Sequence, residues 1–145
     1  MTGEDYPMAA AVSESNSPMS NVIVIVDDNP GICRVLIRCL RHLAVAPECI
    51  ANGLDALAKM ETAQPALVFL DYMMPDMNGL EVLRRMGASE KMKSIPVVMF
   101  TANDTESVRE EAKLLGAIGY LVKGQASGDD FRRYVQAATV LSLLS

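Results

Sequence analysis

The stretch NVIVIVDDNPG, residues 21–31, decides the fold. Five consecutive β-branched residues, Val22 to Val26, favour a strand that is covered on both faces, as in a parallel sheet. The strand ends at two aspartates, where Asp28 or Asn29 can cap a helix whose first position suits Pro30. The stretch therefore predicts a strand that passes directly into a helix, with carboxylates at the junction.

The same alternation continues along the rest of the chain, where apolar runs predict strands and apolar residues at helical spacing predict helices. Pro47 cannot donate to a ladder, so we place the second strand at an edge of the sheet. The predicted strands are 22–26, 45–50, 66–70, 97–100 and 118–122. The predicted helices are five: one from a cap at 28–29 to residue 43, one over 53–63, one over 80–86, one from a cap at 104–105 to residue 115, and one from 127–129 towards residue 145. Alternating strands and helices of this kind imply right-handed crossovers and a doubly wound, three-layer α/β domain.

The chain of 145 residues has room for one ordinary domain. Residues 1–20 are rich in Ser, Pro and small side chains without periodicity, so we predict a mobile tail there and a folded domain over residues 21–145. The C-terminus is unusually apolar and ends in the sequence VLSLLS, residues 140–145. It suits a longer packed helix, a homodimer contact or the start of a linker to an output domain, and the sequence leaves these three open.

Composition excludes several functional classes. The net charge of -5 argues against nucleic acid as a ligand, because phosphate backbones are bound by clustered Lys and Arg. The chain has neither a membrane-length apolar run nor a signal peptide, so we expect no membrane partner and a cytoplasmic location. Cys33, Cys39 and Cys49 form no C-x-x-C pair, and their odd number predicts reduced, packed thiols. His42 stands alone, so a His-based metal site or a Ser-His-Asp triad cannot readily be assembled.

Polar side chains follow four of the predicted strands: Asp27 and Asp28, Asp71, Thr101, and Lys123. Each alone has an ordinary explanation as a helix cap or solvated surface. Ligands of doubly wound sheets, however, bind at the carboxyl ends of the strands, where these residues would meet. Three carboxylates repel one another unless a hard divalent cation, Mg²⁺ above all, lies among them. The sequence therefore predicts a cation site with a hydroxyl and an ammonium group beside it.

This set of residues resembles the receiver domain of two-component response regulators, over residues 21–145. The motifs that carry the resemblance are the acidic pair Asp27 and Asp28, the run DYMMPDMNG at 71–79, which looks like the family's D-x-x-M-P-x-x-x-G, then Thr101 with Ala102, and Lys123. The resemblance implies a flavodoxin-like (βα)5 fold with a parallel five-stranded sheet of order 2-1-3-4-5. The edge position that Pro47 indicates independently agrees with this order.

The resemblance also implies a reaction centred on Asp71. This residue would accept a phosphoryl group from a phosphohistidine of a sensor histidine kinase or a histidine phosphotransfer protein. The cofactor would be Mg²⁺, with Mn²⁺ as the alternative. Asp28 and Asp71 would hold the metal directly, Asp27 through water, and Met73 through its backbone carbonyl.

Further positions follow from the same resemblance. Thr101 and Lys123 would bind phosphoryl oxygens, and the small Ala102 would leave access for a bulky donor. When Thr101 turns inward, Tyr120 on the fifth strand would fill the space, although an ordinary half-buried strand residue is the alternative interpretation of Tyr120. The signal would pass to a downstream protein through the fourth helix, fifth strand and fifth helix.

Two features concern how the site is tuned. Family members usually carry a cis Lys-Pro where this chain has Lys123 and Gly124, and we predict a trans bond and a mobile loop because a cis bond before a non-proline is costly. Met73 and Asn103 stand where the family's hydrolytic water passes. Met73 cannot orient a water by hydrogen bonding. We therefore expect a phosphoacceptor with slow self-dephosphorylation and no other enzymatic activity.

Three alternatives remain open. The domain is a receiver fragment of a larger regulator, or a receiver-like docking module that works without phosphorylation, or an aspartate-nucleophile phosphatase that uses Mg²⁺. The phosphatase family has a second Asp two residues after its nucleophile, where this chain has Met73. A P-loop or dinucleotide-binding function is excluded because no Gly-rich loop follows the first strand.

Overall fold

The structure is a computed structural model that describes the backbone of residues 21–144 and the side chains of residues 21–139. The tail predicted over residues 1–20 lies outside the described residues. So do the apolar side chains at 140–145, on which the three alternatives for the C-terminus depend. Within the described range, no helix is long and apolar enough to cross a membrane.

Five parallel strands alternate with five helices in the described chain, and the sheet order is β2-β1-β3-β4-β5. The strands are β1 Val22–Val26, β2 Ala46–Ile50, β3 Leu67–Leu70, β4 Val97–Thr101 and β5 Gly119–Val122, and the helices are α1 Pro30–Cys39, α2 Gly53–Thr62, α3 Gly79–Gly87, α4 Glu106–Leu114 and α5 Gly128–Leu144. The predicted flavodoxin-like fold is confirmed. Pro47 lies on β2 opposite Ile23, at the edge of the sheet as its missing N–H requires.

The core lies on both faces of the sheet because successive strand residues point to opposite sides. On one face, β1 presents Val24 and Val26 to helices α2, α3 and α4. On the other, it presents Ile23 and Ile25 to helices α1 and α5. All four of these side chains are at most 1% exposed, so β1 from Ile23 to Val26 is covered on both faces and its carboxyl end is the part left for chemistry.

Helix α1 begins as predicted but ends earlier. The carboxamide of Asn29 accepts a hydrogen bond from Gly31 N at 2.8 Å, so Asn29, and not Asp28, is the cap. The predicted end at residue 43 was wrong, because the helix ends at Cys39 and the chain turns through Leu40. Leu43 still packs against the core from this turn, and its apolar contact made the helical pattern look longer than the helix.

The prediction of three reduced thiols was also wrong. Cys33 on α1 and Cys49 on β2 form a disulfide, with Cα atoms 6.1 Å apart, while Cys39 remains free. The separation of 16 residues in sequence gave no sign of this pairing. Because β2 lies beside β1, and Cys49 aligns with Ile25 on the face that α1 covers, the topology places the two side chains together.

Candidate phosphoacceptor site

The four strand ends meet at the carboxyl edge of the sheet, as the fold requires. Asp27 follows β1, Asp71 follows β3, Thr101 ends β4 and Lys123 follows β5. Asp27, Asp71 and Thr101 are 6%, 5% and 1% exposed, whereas Asp28 is exposed to solvent. Two carboxylates are thus largely withdrawn from water, which is costly unless positive charge lies nearby.

The three carboxylates form a cluster beside one ammonium group. One oxygen from each of Asp27, Asp28 and Asp71 lies within 4.8 Å of the others. Lys123 Nζ lies 2.7 Å from Asp27 Oδ2 and 3.3 Å from Asp71 Oδ2. Asp27 Oδ1 accepts from Asn29 N at 2.9 Å, whereas the buried Asp27 Oδ2 has no partner among the described residues besides its ion pair with Lys123.

The electrostatics of the cluster favour a further cation. Burial raises the pKa of Asp71, and the neighbouring Asp27 carboxylate raises it further, while Lys123 and the Thr101 hydroxyl offset part of this effect. Three hard carboxylate oxygens at this spacing fit the preference of Mg²⁺ for oxygen ligands. The residues present therefore suit a divalent cation.

Residues 71–79, which we call the acceptor loop, fold closely around the end of β3. Gly79 N donates to Tyr72 O at 2.7 Å, and a Cβ on Gly79 would stand 2.3 Å from Asp71 O. Only glycine allows this approach. Asn78 caps α3 by accepting from Glu81 N at 2.9 Å, so the loop ends where the helix begins. Met73 lies within this loop, and its side chain is 65% exposed.

Asp76 in the acceptor loop makes a contact that the sequence did not reveal. Its carboxylate accepts from Gly53 N at 3.1 Å and from Leu54 N at 2.9 Å, at the start of α2. The bond from Leu54, ahead of the bond from Gly53, lowers the pKa of Asp76. Local sequence signals could not find this contact, because 22 and 23 residues separate the partners.

Tyr120 is fully buried rather than half-buried, at 1% exposure. Its hydroxyl donates to the Asn103 carbonyl at 2.6 Å, and Asn103 N donates to Thr101 Oγ1 at 3.3 Å. The Arg109 guanidinium lies 4.5 Å from the centre of the Tyr120 ring, within the range of a cation–π contact. Sequence analysis missed Arg109, which a helical pattern presents only as a charged surface position.

The remaining predicted positions lie at the rim of the site. Ala102 is exposed, and Asn103 Oδ1 accepts from Thr105 N at 3.0 Å and from Thr105 Oγ1 at 2.8 Å, so this oxygen is already engaged. The bond between Lys123 and Gly124 is trans, as predicted, since the described residues contain no cis peptide. Gly124 has a φ of +89°, a conformation that a side chain rarely tolerates.

The fold and the site together define a doubly wound α/β domain with an acidic cluster, two of whose three carboxylates are buried, and a paired lysine at the carboxyl end of its sheet. The sequence profile of the response regulator receiver domain matches residues 23–135, and the chain belongs to that family.

Curated relatives agree with this assignment. The cyclic di-GMP phosphodiesterase response regulator RpfG of Xanthomonas campestris pv. campestris is 37% identical over 107 residues, which cover 70% of this chain but 27% of RpfG. Sporulation initiation phosphotransferase F of Bacillus subtilis is 35% identical over 105 residues, covering 72% of this chain and 83% of that protein. The chain thus spans about a quarter of the first relative and most of the second.

Solved structures give the same result. The receiver domain of the sensor histidine kinase PA1611 from Pseudomonas aeruginosa PAO1, which has a magnesium ion coordinated in its active-site cleft, superposes with a TM-score of 0.74. It is 26% identical, and the match covers 83% of this chain and 98% of that domain. The described fold is therefore that of receiver domains throughout.

Proposed function

We propose that this domain accepts a phosphoryl group on Asp71 from the phosphohistidine of a sensor histidine kinase or a histidine phosphotransfer protein. The observation that carries the proposal is the convergence of Asp27, Asp28 and Asp71 with Lys123 Nζ at one edge of the sheet. In this reaction an Asp71 carboxylate oxygen forms a bond to phosphorus as the nitrogen–phosphorus bond of the histidine breaks. The donor imidazole leaves with the electron pair.

Mg²⁺, or Mn²⁺ in its place, would be held by Asp28 and Asp71, by Asp27 through water, and by the Met73 carbonyl, and would supply charge that cancels repulsion between carboxylate and phosphoryl oxygens. The magnesium ion in the PA1611 receiver domain supports this assignment. Phosphoryl transfer proceeds through a loose transition state that needs positioning and charge more than a general acid or base. The residues of this chain suit that requirement.

Lys123 would change partners in the course of the reaction. Its ammonium group now lies against Asp27 and Asp71. A phosphoryl group on Asp71 brings new oxygen acceptors within reach of the flexible lysine stem, and Thr101 offers a hydroxyl donor on the neighbouring strand. Ala102 leaves this side open for a bulky donor, because its methyl group is small and exposed.

The switch would involve Thr101 and Tyr120. Both are joined through the backbone of Asn103, which donates to Thr101 Oγ1 and accepts from the Tyr120 hydroxyl. A movement of Thr101 towards a phosphoryl oxygen would break the hydrogen bond from Asn103 N. The Asn103 backbone would then be free to shift, and with it the carbonyl that accepts from the Tyr120 hydroxyl. We infer that Tyr120 reports the state of Asp71 to the surface formed by α4, β5 and α5, where a downstream protein would bind.

Hydrolysis of the aspartyl phosphate would be slow, and the domain would have no other enzymatic activity. The side chain of Met73 has no strong hydrogen-bonding group with which to orient water, and the Asn103 carboxamide oxygen is occupied by Thr105. Met73 also stands where an aspartate-nucleophile phosphatase carries its second Asp, so that hypothesis has no proton donor at this position. The signal would be carried further by a homodimer of this domain or by an output domain attached to it, if the domain is a fragment of a larger regulator.

Intact-mass measurement tests the reaction. The protein is incubated with acetyl phosphate in Mg²⁺ or in chelator, alongside Asp71→Asn and Asp55→Asn. Asp55 lies on α2 and hydrogen-bonds Asn52, so it serves as a matched aspartate outside the site. We expect one Mg²⁺-dependent phosphoryl adduct in the wild type and in Asp55→Asn, and none in Asp71→Asn.

The docking-module hypothesis predicts a different result. In that case neither acetyl phosphate nor a phosphorylated histidine phosphotransfer protein would modify the folded wild type, and Asp71→Asn would bind partners unchanged. Such an outcome would replace the proposed function. An adduct that persists in Asp71→Asn would instead show that another residue accepts the phosphoryl group.

A further inference from the structure

The N-terminus of α2 is completed by a residue from outside the helix. The first N–H groups of a helix have no partner within it, and they are usually satisfied by a local cap. Here Asn52 is that local cap, because its side chain accepts from Asp55 N at 2.8 Å and its carbonyl accepts from Ala56 N at 3.1 Å. The two preceding N–H groups, those of Gly53 and Leu54, are left for another acceptor.

Asp76 supplies that acceptor from the acceptor loop. One oxygen of its carboxylate accepts from Gly53 N and the other from Leu54 N. A carboxylate at this position also benefits from the positive end of the helix dipole. The contact therefore joins the first turn of α2 to the middle of the loop that begins with Asp71.

A second contact joins the same two segments. A Cβ on Gly53 would stand 2.6 Å from Met77 Cγ and 2.8 Å from a methyl carbon of Val82. Gly53 thus lets the start of α2 approach Met77 closely, directly beside Asp76. The hydrogen bonds of Asp76 and the packing of Met77 together fix this part of the loop against the start of α2.

The ends of the acceptor loop are fixed elsewhere. Asp71 N donates to Val26 O at 3.0 Å, and Gly79 N donates to Tyr72 O at 2.7 Å. Between these anchors lies Met73, whose carbonyl the proposed function assigns to the cation. Since the side chain of Met73 is largely exposed, packing of that side chain cannot hold its carbonyl in place.

We propose that Asp76 is a positioning residue, which holds the acceptor loop in the conformation that presents the Met73 carbonyl beside Asp71. The proposal deepens the proposed function and rests on it for the assignment of the Met73 carbonyl. Asp76 itself touches neither the cation nor the phosphoryl group. It acts through the backbone of the loop, with α2 as the fixed support.

The test compares Asp76→Ala, Asp76→Asn and Asp55→Ala with the wild type, all unphosphorylated. Asp55→Ala is the matched control because it perturbs the same helix end without touching the acceptor loop. Titration calorimetry gives the Mg²⁺ dissociation constant, and amide hydrogen exchange reports on Gly53, Leu54 and residues 71–79. Thermal unfolding shows whether each variant folds.

We expect Asp76→Ala to weaken Mg²⁺ binding roughly three- to tenfold, less than the roughly 10- to 100-fold losses known for residues that bond directly to metal ligands, because Asp76 acts through the loop backbone. Exchange should rise both at Gly53 and Leu54 and in the acceptor loop. Asp76→Asn keeps one acceptor oxygen and should restore part of the affinity. Asp55→Ala should leave the affinity unchanged even where it lowers the melting temperature.

Two results would overturn the proposal. One is an unchanged Mg²⁺ affinity in Asp76→Ala while Gly53 and Leu54 exchange faster, since Asp76 would then only cap the helix. The other is an equal loss of affinity in Asp55→Ala, which would reflect general destabilisation. If Asp76→Ala loses affinity as expected but the wild type accepts no phosphoryl group, the positioning role stands and the proposed function fails.

Discussion

The acceptor loop and the segment that follows β5, residues 123–127, flank the same site but place their functional groups in different ways. Backbone N–H groups of Asp71 and Gly79 anchor the two ends of the acceptor loop by donating to backbone carbonyls. Between them, the Asp76 carboxylate accepts hydrogen bonds from the first two N–H groups of α2. The other segment, which we call the lysine loop, turns at Gly124 with a positive φ. Backbone bonds anchor this loop as well, from Lys123 N to Thr101 O and from Gln125 N and Ala126 N to Val122 O. Its functional side chain, Lys123, is held instead by the charges of Asp27 and Asp71.

The difference suggests which side of the site responds to chemistry. The bonds that anchor the acceptor loop involve none of the atoms proposed to contact a cation or a phosphoryl group, so this loop provides a fixed frame. The ion pairs of Lys123 depend on the charges that those groups alter. We therefore expect changes in the acceptor loop to affect stability and reaction together, and changes in the lysine loop to affect the reaction more than the fold.

The largest expected effect is that of Gly79→Ala. The added methyl group would stand 2.3 Å from Asp71 O, a backbone atom that cannot rotate away. We expect a loss of about 3 kcal/mol of unfolding free energy, the upper end for overpacking, together with much slower phosphorylation. Chemical denaturation measures the first and intact mass the second.

Gly87→Ala is the control for this change, since a Cβ there would meet nothing within 4 Å. It should shift the unfolding free energy by no more than about 0.5 kcal/mol. Equal effects of the two substitutions would mean that crowding at Asp71 is not the reason why glycine is needed at 79.

The disulfide between Cys33 and Cys49 links α1 covalently to β2, the strand that leads to α2, on which the acceptor loop is anchored. From the 16-residue separation of the two cysteines, we expect the disulfide to contribute roughly 2–3 kcal/mol to the unfolding free energy. Unfolding with and without reductant should show this difference in the wild type and in Cys39→Ser. The difference should disappear in Cys49→Ser, and its persistence there would contradict the pairing.

In the lysine loop, Gly124→Ala should separate fold from reaction. A Cβ there meets nothing within 4 Å, so the cost is backbone strain at positive φ, about 1 kcal/mol. Gly116→Ala carries the same kind of strain, at a φ of +105°, away from the site. Both should lower stability alike, but only Gly124→Ala should slow phosphorylation from acetyl phosphate. Equal rates for the two variants would show that Lys123 placement is insensitive to Gly124.

The smallest expected effect concerns pH. Hydrogen bonds from backbone N–H groups, above all that from Leu54 N, lower the folded-state pKa of Asp76. Its stabilising contribution is therefore present above the unfolded pKa, about 3.9, and is lost as pH falls through the lower folded value. The stability difference between wild type and Asp76→Asn should shrink as pH falls below about 4. A difference that stays constant from neutral to acidic pH would contradict this origin.

Much of the fold and most of the predicted site positions follow from local signals. The β-branched run of β1 and the missing N–H of Pro47 act within a few residues, and they correctly predict a buried strand and an edge strand. Parallel topology then brings the residues after each strand to one edge, which is why Asp71 and Lys123 could be placed at one site before any contact was known.

The contacts that sequence analysis missed are decided by tertiary packing. The Cys33 to Cys49 disulfide and the bonds of Asp76 to α2 join segments 16 to 23 residues apart whose mutual placement only the folded sheet defines. Arg109 over the ring of Tyr120 is of the same kind. The end of α1 was missed for another reason, because an apolar residue in a turn can imitate helical periodicity.

Direct mapping of the modified residue tests the central claim. The protein is phosphorylated by a phosphorylated histidine phosphotransfer protein in the presence of Mg²⁺ and is then reduced with borohydride, which converts an aspartyl phosphate to homoserine. The product is digested, and its peptides are sequenced by mass spectrometry. The account predicts homoserine at position 71 alone, dependent on Mg²⁺ and absent without the donor. Homoserine at another aspartate, or none while the donor loses its phosphoryl group, would contradict it.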